Sequence, residues 1–197
     1  HPDPRPPSHI PVPAVSESSA RERALGALTG LALGDALGMP TQSMSPAQIR
    51  RCYGKITGLR NAVADQPIAP SMPAGSVTDD TEQALILAGL LTDGGGRIDP
   101  RRFTDALLRW EDDMRARGSL DLLGPSTKLA LERVRTGADP HCTGREGTTN
   151  GAAMRVAPVG VAFSLSTDSN ALARAVHESC LVTHDTRQGF EAAGLLA

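Results

Sequence analysis

The sequence predicts an all-α fold, a compact helical bundle. Three observations carry that reading. Apolar residues recur at helical spacing in segment after segment, and no run of β-branched residues alternates with period two over the length of a strand. Aromatic residues make up only 3% of the chain, so the core must be built from Ala, Leu, Val and Met, whose small side chains let helices approach closely. The 197 residues suffice for one sizeable domain.

The elements follow in order. Residues 1–20 are rich in Pro and Ser, lack the apolar core of a signal peptide and read as a disordered leader; the domain is expected over 21–197. The first helix spans 21–37. Gly26, Gly30, Gly34 and Gly38 recur every four residues and share one of its faces. Four glycines weaken an isolated helix. A backbone-to-backbone contact at the centre of the bundle is the expected compensation, which makes this the expected central helix. Met39-Pro40 ends it, and a loop-rich stretch runs through Gly54, Gly58, Pro67, Pro70, Pro73 and Gly75.

A second helix over 80–91 is stopped by Asp93-Gly94-Gly95-Gly96. Asp99-Pro100 opens a third over 101–116, and a fourth covers 126–135 and stops at Gly137. A polar, Gly-rich loop over 144–151 leads into a helical segment at 152–164, kinked or broken at Pro158, and then into a helix over 168–182. Residues 188–197 look like the middle of a helix. They stop on apolar residues without a Gly, Asn or Pro signal, which leads us to expect a truncated or split piece of a longer protein.

Composition excludes several function classes. A net charge of -2 gives no basic field for nucleic acid. No apolar stretch reaches the length of a membrane span, and the longest small-residue run, 24–38, is interrupted by Asp35. Cys52, Cys142 and Cys180 are scattered, with no C-x-x-C pair, so neither a disulfide framework nor a thiolate metal site is expected and a reducing cytoplasm fits best.

The most informative segment is Val77-Thr78-Asp79-Asp80-Thr81, at a helix start. Two readings stand. Thr and Asp are ordinary caps, and acids in a first turn complement the helix dipole. Their oxygens are also hard ligands suited to Mg²⁺ or Mn²⁺. The loop over 144–151 offers backbone amides to an anion or is simply a loop; it is no Walker A motif. Asp35 either caps the Gly38-Met39 turn or orients metal-bound water. His184 is either structural or near a substrate. Asp112 and Asp113 read as an exposed acidic helix face. No nucleophile elbow occurs, which disfavours acyl-enzyme chemistry.

Four motifs together resemble the ADP-ribosylglycohydrolase family, which includes the dinitrogenase reductase-activating glycohydrolases. They are Gly34-Asp35-Ala36-Leu37-Gly38-Met39-Pro40, the Val77 to Thr81 segment, the stretch from Thr149-Asn150-Gly151 through Met154-Arg155 to Pro158-Val159-Gly160, and Thr183-His184. The resemblance covers 21–197, roughly the N-terminal two-thirds of a family domain. It implies an all-α domain with two divalent metals, Mg²⁺ or Mn²⁺, that hydrolyses the bond between ADP-ribose and an acceptor, either a protein side chain or a small molecule. Metal binding then falls to Thr78, Asp79 and Asp80, and catalytic positions to Asp79, Asp80 and Gln42. Asp35 stands behind them in support. Gly147, Thr148, Asn150 and Gly151 would cradle the diphosphate, and His184 would lie near the ribose.

Two departures accompany the match. The family draws further metal ligands from a C-terminal Asp-x-Asp-Thr segment, which does not occur before Ala197; Asp185-Thr186 belongs to the His184 segment. Where the family commonly has Glu, this chain has Gln42, which cannot take a proton at neutral pH. A non-catalytic ADP-ribose-binding or structural relative with an incomplete metal site is therefore the alternative. Hydrolysis of another ribosyl compound is a third possibility.

Overall fold

The computed structural model describes residues 17–119, 122–163 and 168–197, and among them every regular element is helical. Helix α1 (Glu17–Gly38) runs into a 3-10 turn at Met39–Thr41. Helix α2 (Pro46–Tyr53) follows, and then a long irregular segment leads to α3 (Asp79–Asp93). Next come α4 (Pro100–Ala116), α5 (Pro125–Arg135), α6 (Gly151–Met154) and α7 (Ala157–Ala162). Helices α8 (Ser169–His184) and α9 (Arg187–Leu196) close the described chain.

Four helix starts, those of α2, α4, α8 and α9, are capped by the side chain of their own N-cap residue. The Asp99 carboxylate accepts the Arg102 amide at 2.9 Å and Pro100 follows it, so α4 starts where the sequence indicates. Asp168 caps α8 through the Ala171 amide at 2.8 Å, and Thr186 caps α9 through the Gly189 amide at 3.1 Å. Helix α2 falls in the stretch expected to be loop. Its signal is a capping box: the Ser45 hydroxyl accepts the Gln48 amide at 3.3 Å while Gln48 accepts the Ser45 amide at 2.7 Å, with Pro46 between them.

Helices α3 and α8 organise the core. Helix α3 packs on α1, α4, α6 and α7, and α8 packs on α4, α5, α6, α7 and α9. Leu87, Phe103, Leu107, Met114, Leu131, Val159, Cys180 and Val182 are wholly buried between them. On α4, Phe103, Leu107, Trp110 and Met114 recur at three- and four-residue spacing and turn one stripe inward. Polar clamps set the register of the helices. The Trp110 indole donates to Glu82 at 2.6 Å, and Arg117 grips the same carboxylate with two nitrogens at 3.0 and 3.1 Å, so α3 is locked to the end of α4. Arg135 joins α5 to Glu111 on α4 at 2.8 Å, while Asp112 and Asp113 stay exposed, as expected.

Three expectations need correction. Helix α1 is peripheral, not central. The positions where side chains would grow from Gly26, Gly30, Gly34 and Gly38 face open space, Leu25 is 65% exposed and Leu33 51%, and among the described residues of this helix only Ala36 is buried. The glycine stripe is real, but no described element packs on it. The kink or break expected at Pro158 within 152–164 falls earlier, at Arg155-Val156, because Pro158 sits in the first turn of α7, where its missing N–H costs nothing. Residue 164 lies outside the described residues. So does most of the expected leader: residues 1–16 are not described, and from Glu17 the chain is already helical.

Exposure of the glycine stripe reverses the usual sign for a packing glycine. Gly30→Ala should stabilise the 197-residue chain by roughly 0.5–1 kcal/mol, read as a rise in the urea midpoint, because the helix gains propensity and meets no neighbour. A loss of stability would show that this face is packed in solution.

Candidate functional site

A cleft of about 540 Å³ opens where the end of α1, the start of α3, the segment before α5 and the start of α6 meet. Its walls include Asp35, Gln42, Asp79, Asp80, Gly124 and Asn150, drawn from positions far apart in sequence.

Asp35 builds the site. From the last turns of α1 its carboxylate reaches across to the first turn of α3. One oxygen accepts the Thr78 amide at 2.7 Å, the Thr81 amide at 3.2 Å and the Thr81 hydroxyl at 2.6 Å. The other accepts the Thr78 hydroxyl at 2.7 Å. A helix start leaves four amides without partners, and here a neighbouring helix satisfies two of them. Thr78 occupies the N-cap position without capping through its own side chain. The expected role of Asp35 at the Gly38-Met39 turn is thus replaced by a longer-range one.

Because Asp35 performs the capping, Asp79 and Asp80 turn their carboxylates to the cleft. Asp79 is only 7% exposed, and burial, followed by the charges of Asp80 and Asp35, pushes its pKa up to about 7. Burial and then Asp35 raise Asp80 as well. Among the described residues no basic side chain forms an ion pair with any of the three. Thr78, wholly buried, lies behind them with its hydroxyl 3.4 Å from Asp80. The donors are hard oxygens, the chemistry that Mg²⁺ or Mn²⁺ requires. Among the described residues no group of three His, Cys, Asp or Glu side chains could enclose a metal ion unaided. A filled coordination shell therefore needs oxygens from water, ligand or further protein, and Mg²⁺ ordinarily keeps several waters.

Gln42 reaches the cleft because its turn is stapled from below. The buried Gln66 side chain donates to the Gln42 carbonyl at 2.9 Å and accepts the amides of Ile68 and Ala69. The Tyr53 hydroxyl donates to the Pro40 carbonyl at 3.0 Å and accepts the Val63 amide at 2.9 Å. Neither Gln66 nor Tyr53 stood out in the sequence, since a Gln among prolines and a single Tyr carry no pattern.

Only part of the 144–151 loop faces the cleft. Asn150 lines it and Thr148 is exposed. Gly147 and Gly151 answer to α8 instead: a side chain at 147 would collide with the Thr183 carbonyl, and one at 151 would come within 2.5 Å of the His184 ring. Helix α6 is four residues long, so its dipole lends little to an anion. His184 is wholly buried beneath the loop, with Nε2 2.8 Å from the Thr149 hydroxyl and Nδ1 2.8 Å from the Thr183 hydroxyl. Burial and the Arg155 charge hold its pKa down at about 3, so it is neutral. Thr149, Gly124 and Arg155 joined this neighbourhood without having been singled out as site residues.

The family profile described as ADP-ribosylglycohydrolase matches residues 16–197. The chain belongs to the ADP-ribosylglycohydrolase family. It is similar to the ADP-ribosyl-[dinitrogen reductase] glycohydrolase of Rhodospirillum rubrum, 33% identical over 73% of this chain and 46% of that protein. It is also similar to ADP-ribosylarginine hydrolase Tri1 of Pseudomonas putida (strain GB-1), 31% identical over 93% of this chain and 47% of the relative. A solved structure, an ADP-ribosylglycohydrolase-related protein complex, superposes with a TM-score of 0.66 at 32% identity, covering 90% of this chain and 54% of that one. The chain thus spans about half the length of the ADP-ribosylglycohydrolase relatives it matches.

The acidic cluster and His184 pull the pH dependence of folding in opposite directions. His184 titrates near 3 when folded against 6.5 when unfolded, so acidification below 6.5 protonates the unfolded chain first and lowers stability. Asp79 titrates near 7 when folded against 3.8 when unfolded, so the folded chain keeps a proton and stability rises as pH falls through that window. Asp80 acts in the same sense as Asp79. In chelator-treated chain, Asp79→Asn/Asp80→Asn should expose the His184 slope. Its urea stability should drop between pH 6.5 and 4 more steeply than wild type, by up to about 1.4 kcal/mol per pH unit for each proton no longer retained. Parallel curves for the two proteins would refute the assignment of these protons.

Proposed function

We propose that this chain forms the N-terminal part of a metal-dependent hydrolase that cleaves the glycosidic bond between ADP-ribose and an acceptor. The observation that carries this reading is the meeting of Asp79, Asp80, Gln42 and Asn150 on one cleft in a chain of the ADP-ribosylglycohydrolase family. The names of the Rhodospirillum and Pseudomonas relatives support an ADP-ribosylated protein as substrate.

Asp79, Asp80 and Thr78 are the residues to hold Mg²⁺ or Mn²⁺, two ions in the complete protein. When bound, such ions would supply Lewis acidity toward ribose hydroxyls and water. The chain's own groups do the rest. Cleavage at the ribose anomeric carbon passes through an oxocarbenium-like state, which requires a fixed ribose and a directed water. Asp35 fixes the helix start and with it the direction of both carboxylates. Asn150, with the exposed Thr148 beside it, binds the diphosphate; Gly147 and Gly151, which pack on α8, only shape the loop. Gln42 orients by hydrogen bonding and carries no proton, so proton transfer falls to the aspartates. A second reading, an ADP-ribose-binding relative without turnover, is favoured by Gln42 and by the lack of a three-ligand group among the described residues.

Calorimetric titration separates these readings. Asp79→Asn/Asp80→Asn should abolish Mg²⁺ and Mn²⁺ binding while the far-ultraviolet circular dichroism stays helical. Retained tight binding would overturn the ligand assignment. Wild type that binds ADP-ribose yet releases none from ADP-ribosylated arginine, with metal present, would select the binding reading for the 197-residue chain. For the diphosphate, Asn150→Ala should weaken ADP-ribose binding about tenfold, the worth of one hydrogen bond to a charged group. Gly151→Val should act differently: its collision with His184 lowers stability as well as affinity. Unchanged affinity in Asn150→Ala would move the diphosphate elsewhere.

A further inference from the structure

Arg155 is wholly buried, lies outside the cleft wall, and forms no ion pair with a described residue. Its guanidinium stacks 4.9 Å over the Phe103 ring. One terminal nitrogen donates to the Gln83 side-chain oxygen at 2.6 Å, and the other donates to the Ser179 carbonyl at 2.9 Å and to the Thr183 hydroxyl at 2.6 Å. The Arg155 Nε and the Gln83 amide nitrogen have no partner among the described residues. A cation held this deep, by neutral partners on two helices, is costly to keep unless it sets something nearby.

What it sets follows from counting hydrogens. Arginine only donates, so the Thr183 oxygen is an acceptor toward Arg155. Thr183 is wholly buried, and its own hydroxyl hydrogen needs an acceptor. Among the described residues the acceptor in reach is His184 Nδ1, at 2.8 Å. Nδ1 is then the bare ring nitrogen, and Nε2 of the neutral ring carries the hydrogen. Nε2–H donates to the Thr149 hydroxyl oxygen at 2.8 Å. The reverse order leaves the Thr183 hydrogen buried and unmet and turns an N–H toward the guanidinium side. Both features count against it.

The chain of donors therefore runs one way, from Arg155 through Thr183 and His184 to Thr149, and it ends on a hydroxyl whose hydrogen remains to be given. Thr149 is half-buried and adjoins Asn150 on the cleft wall. Its oxygen is 4.0 Å from where a side chain on cleft-lining Gly124 would start. We propose that Arg155 is a positioning residue: through Thr183 it fixes His184 as the Nε2–H tautomer and thereby makes Thr149 a hydrogen-bond donor to an acceptor oxygen of the ligand. Ionised phosphate oxygens accept and never donate, so a donor-terminated chain suits them. The identity of the ligand rests on the ADP-ribose reading above; the tautomer does not.

The test uses the full chain with ¹⁵N-labelled histidine. The long-range ¹H–¹⁵N spectrum at neutral pH should show the His184 proton on Nε2, and a proton on Nδ1 would overturn the proposal. Calorimetric titration with ADP-ribose then follows the relay to its end. Thr149→Ser should bind within about twofold of wild type and Thr149→Val about tenfold more weakly. Thr183→Val, remote from the cleft but close in shape, should lose about as much, with circular dichroism and thermal midpoint checked beside it. The Thr149→Val/Thr183→Val double variant should lose no more than either single variant, because both break one chain. Losses that add would mean that Thr183 acts only on packing, and the proposal would fall. Wild type with the proton on Nε2 but no affinity for ADP-ribose would sustain the relay and refute the ligand reading instead.

Discussion

The carboxylate of Asp35 is the contact on which the cleft depends. It accepts from two amides and two hydroxyls at the start of α3 while itself belonging to α1. That single group joins two helices more than forty residues apart in sequence, closes one wall of the cleft and caps a helix. It also relieves Asp79 and Asp80 of the work that acids in a first turn usually do. Two carboxylates beside a third, poorly hydrated, form an unbalanced negative site, and hard cations are the natural counter-charge for such a site.

Behind this acidic wall the packing is neutral or internally compensated. Glu82 is claimed by Trp110 and Arg117, Glu111 by Arg135, and Glu178 by Arg97. In each pair the carboxylate is mostly buried while the arginine reaches solvent. The effect of these pairs is to keep basic side chains of α4, α5 and the 94–99 turn occupied away from the cleft. Arg155, the one fully buried cation among the described residues, is held by a carbonyl, an amide oxygen and a hydroxyl.

Much of this architecture was legible in the chain. Helix starts marked by Asp99-Pro100 and Asp168 emerged within a residue or two, because an N-cap acid followed by Pro or a small residue satisfies local hydrogen bonds whatever the tertiary context. Asp79, Asp80, Gln42 and Asn150 do share a cleft. The failures were tertiary. Glycine periodicity on α1 reported a face made for close approach, but periodicity cannot say whether anything approaches. Asp35 could be seen to cap something, yet a cap supplied by another helix leaves no spacing in sequence. The buried relay through Arg155 was illegible for the same reason: its members stand at 149, 155, 183 and 184, and only folding brings the two pairs together.

The last turn of α8 is ringed by glycines. Side chains at Gly144, Gly147 and Gly189 would each strike its backbone, and one at Gly151 would strike the His184 ring. This crowding makes the loop an ambiguous witness in any mutational survey. Replacements at these four positions would score as losses of function and would outline a convincing ligand footprint, although the missing quantity is volume and not chemistry. The informative positions are the ones between them, Thr148, Thr149 and Asn150, where a side chain can change without displacing a helix.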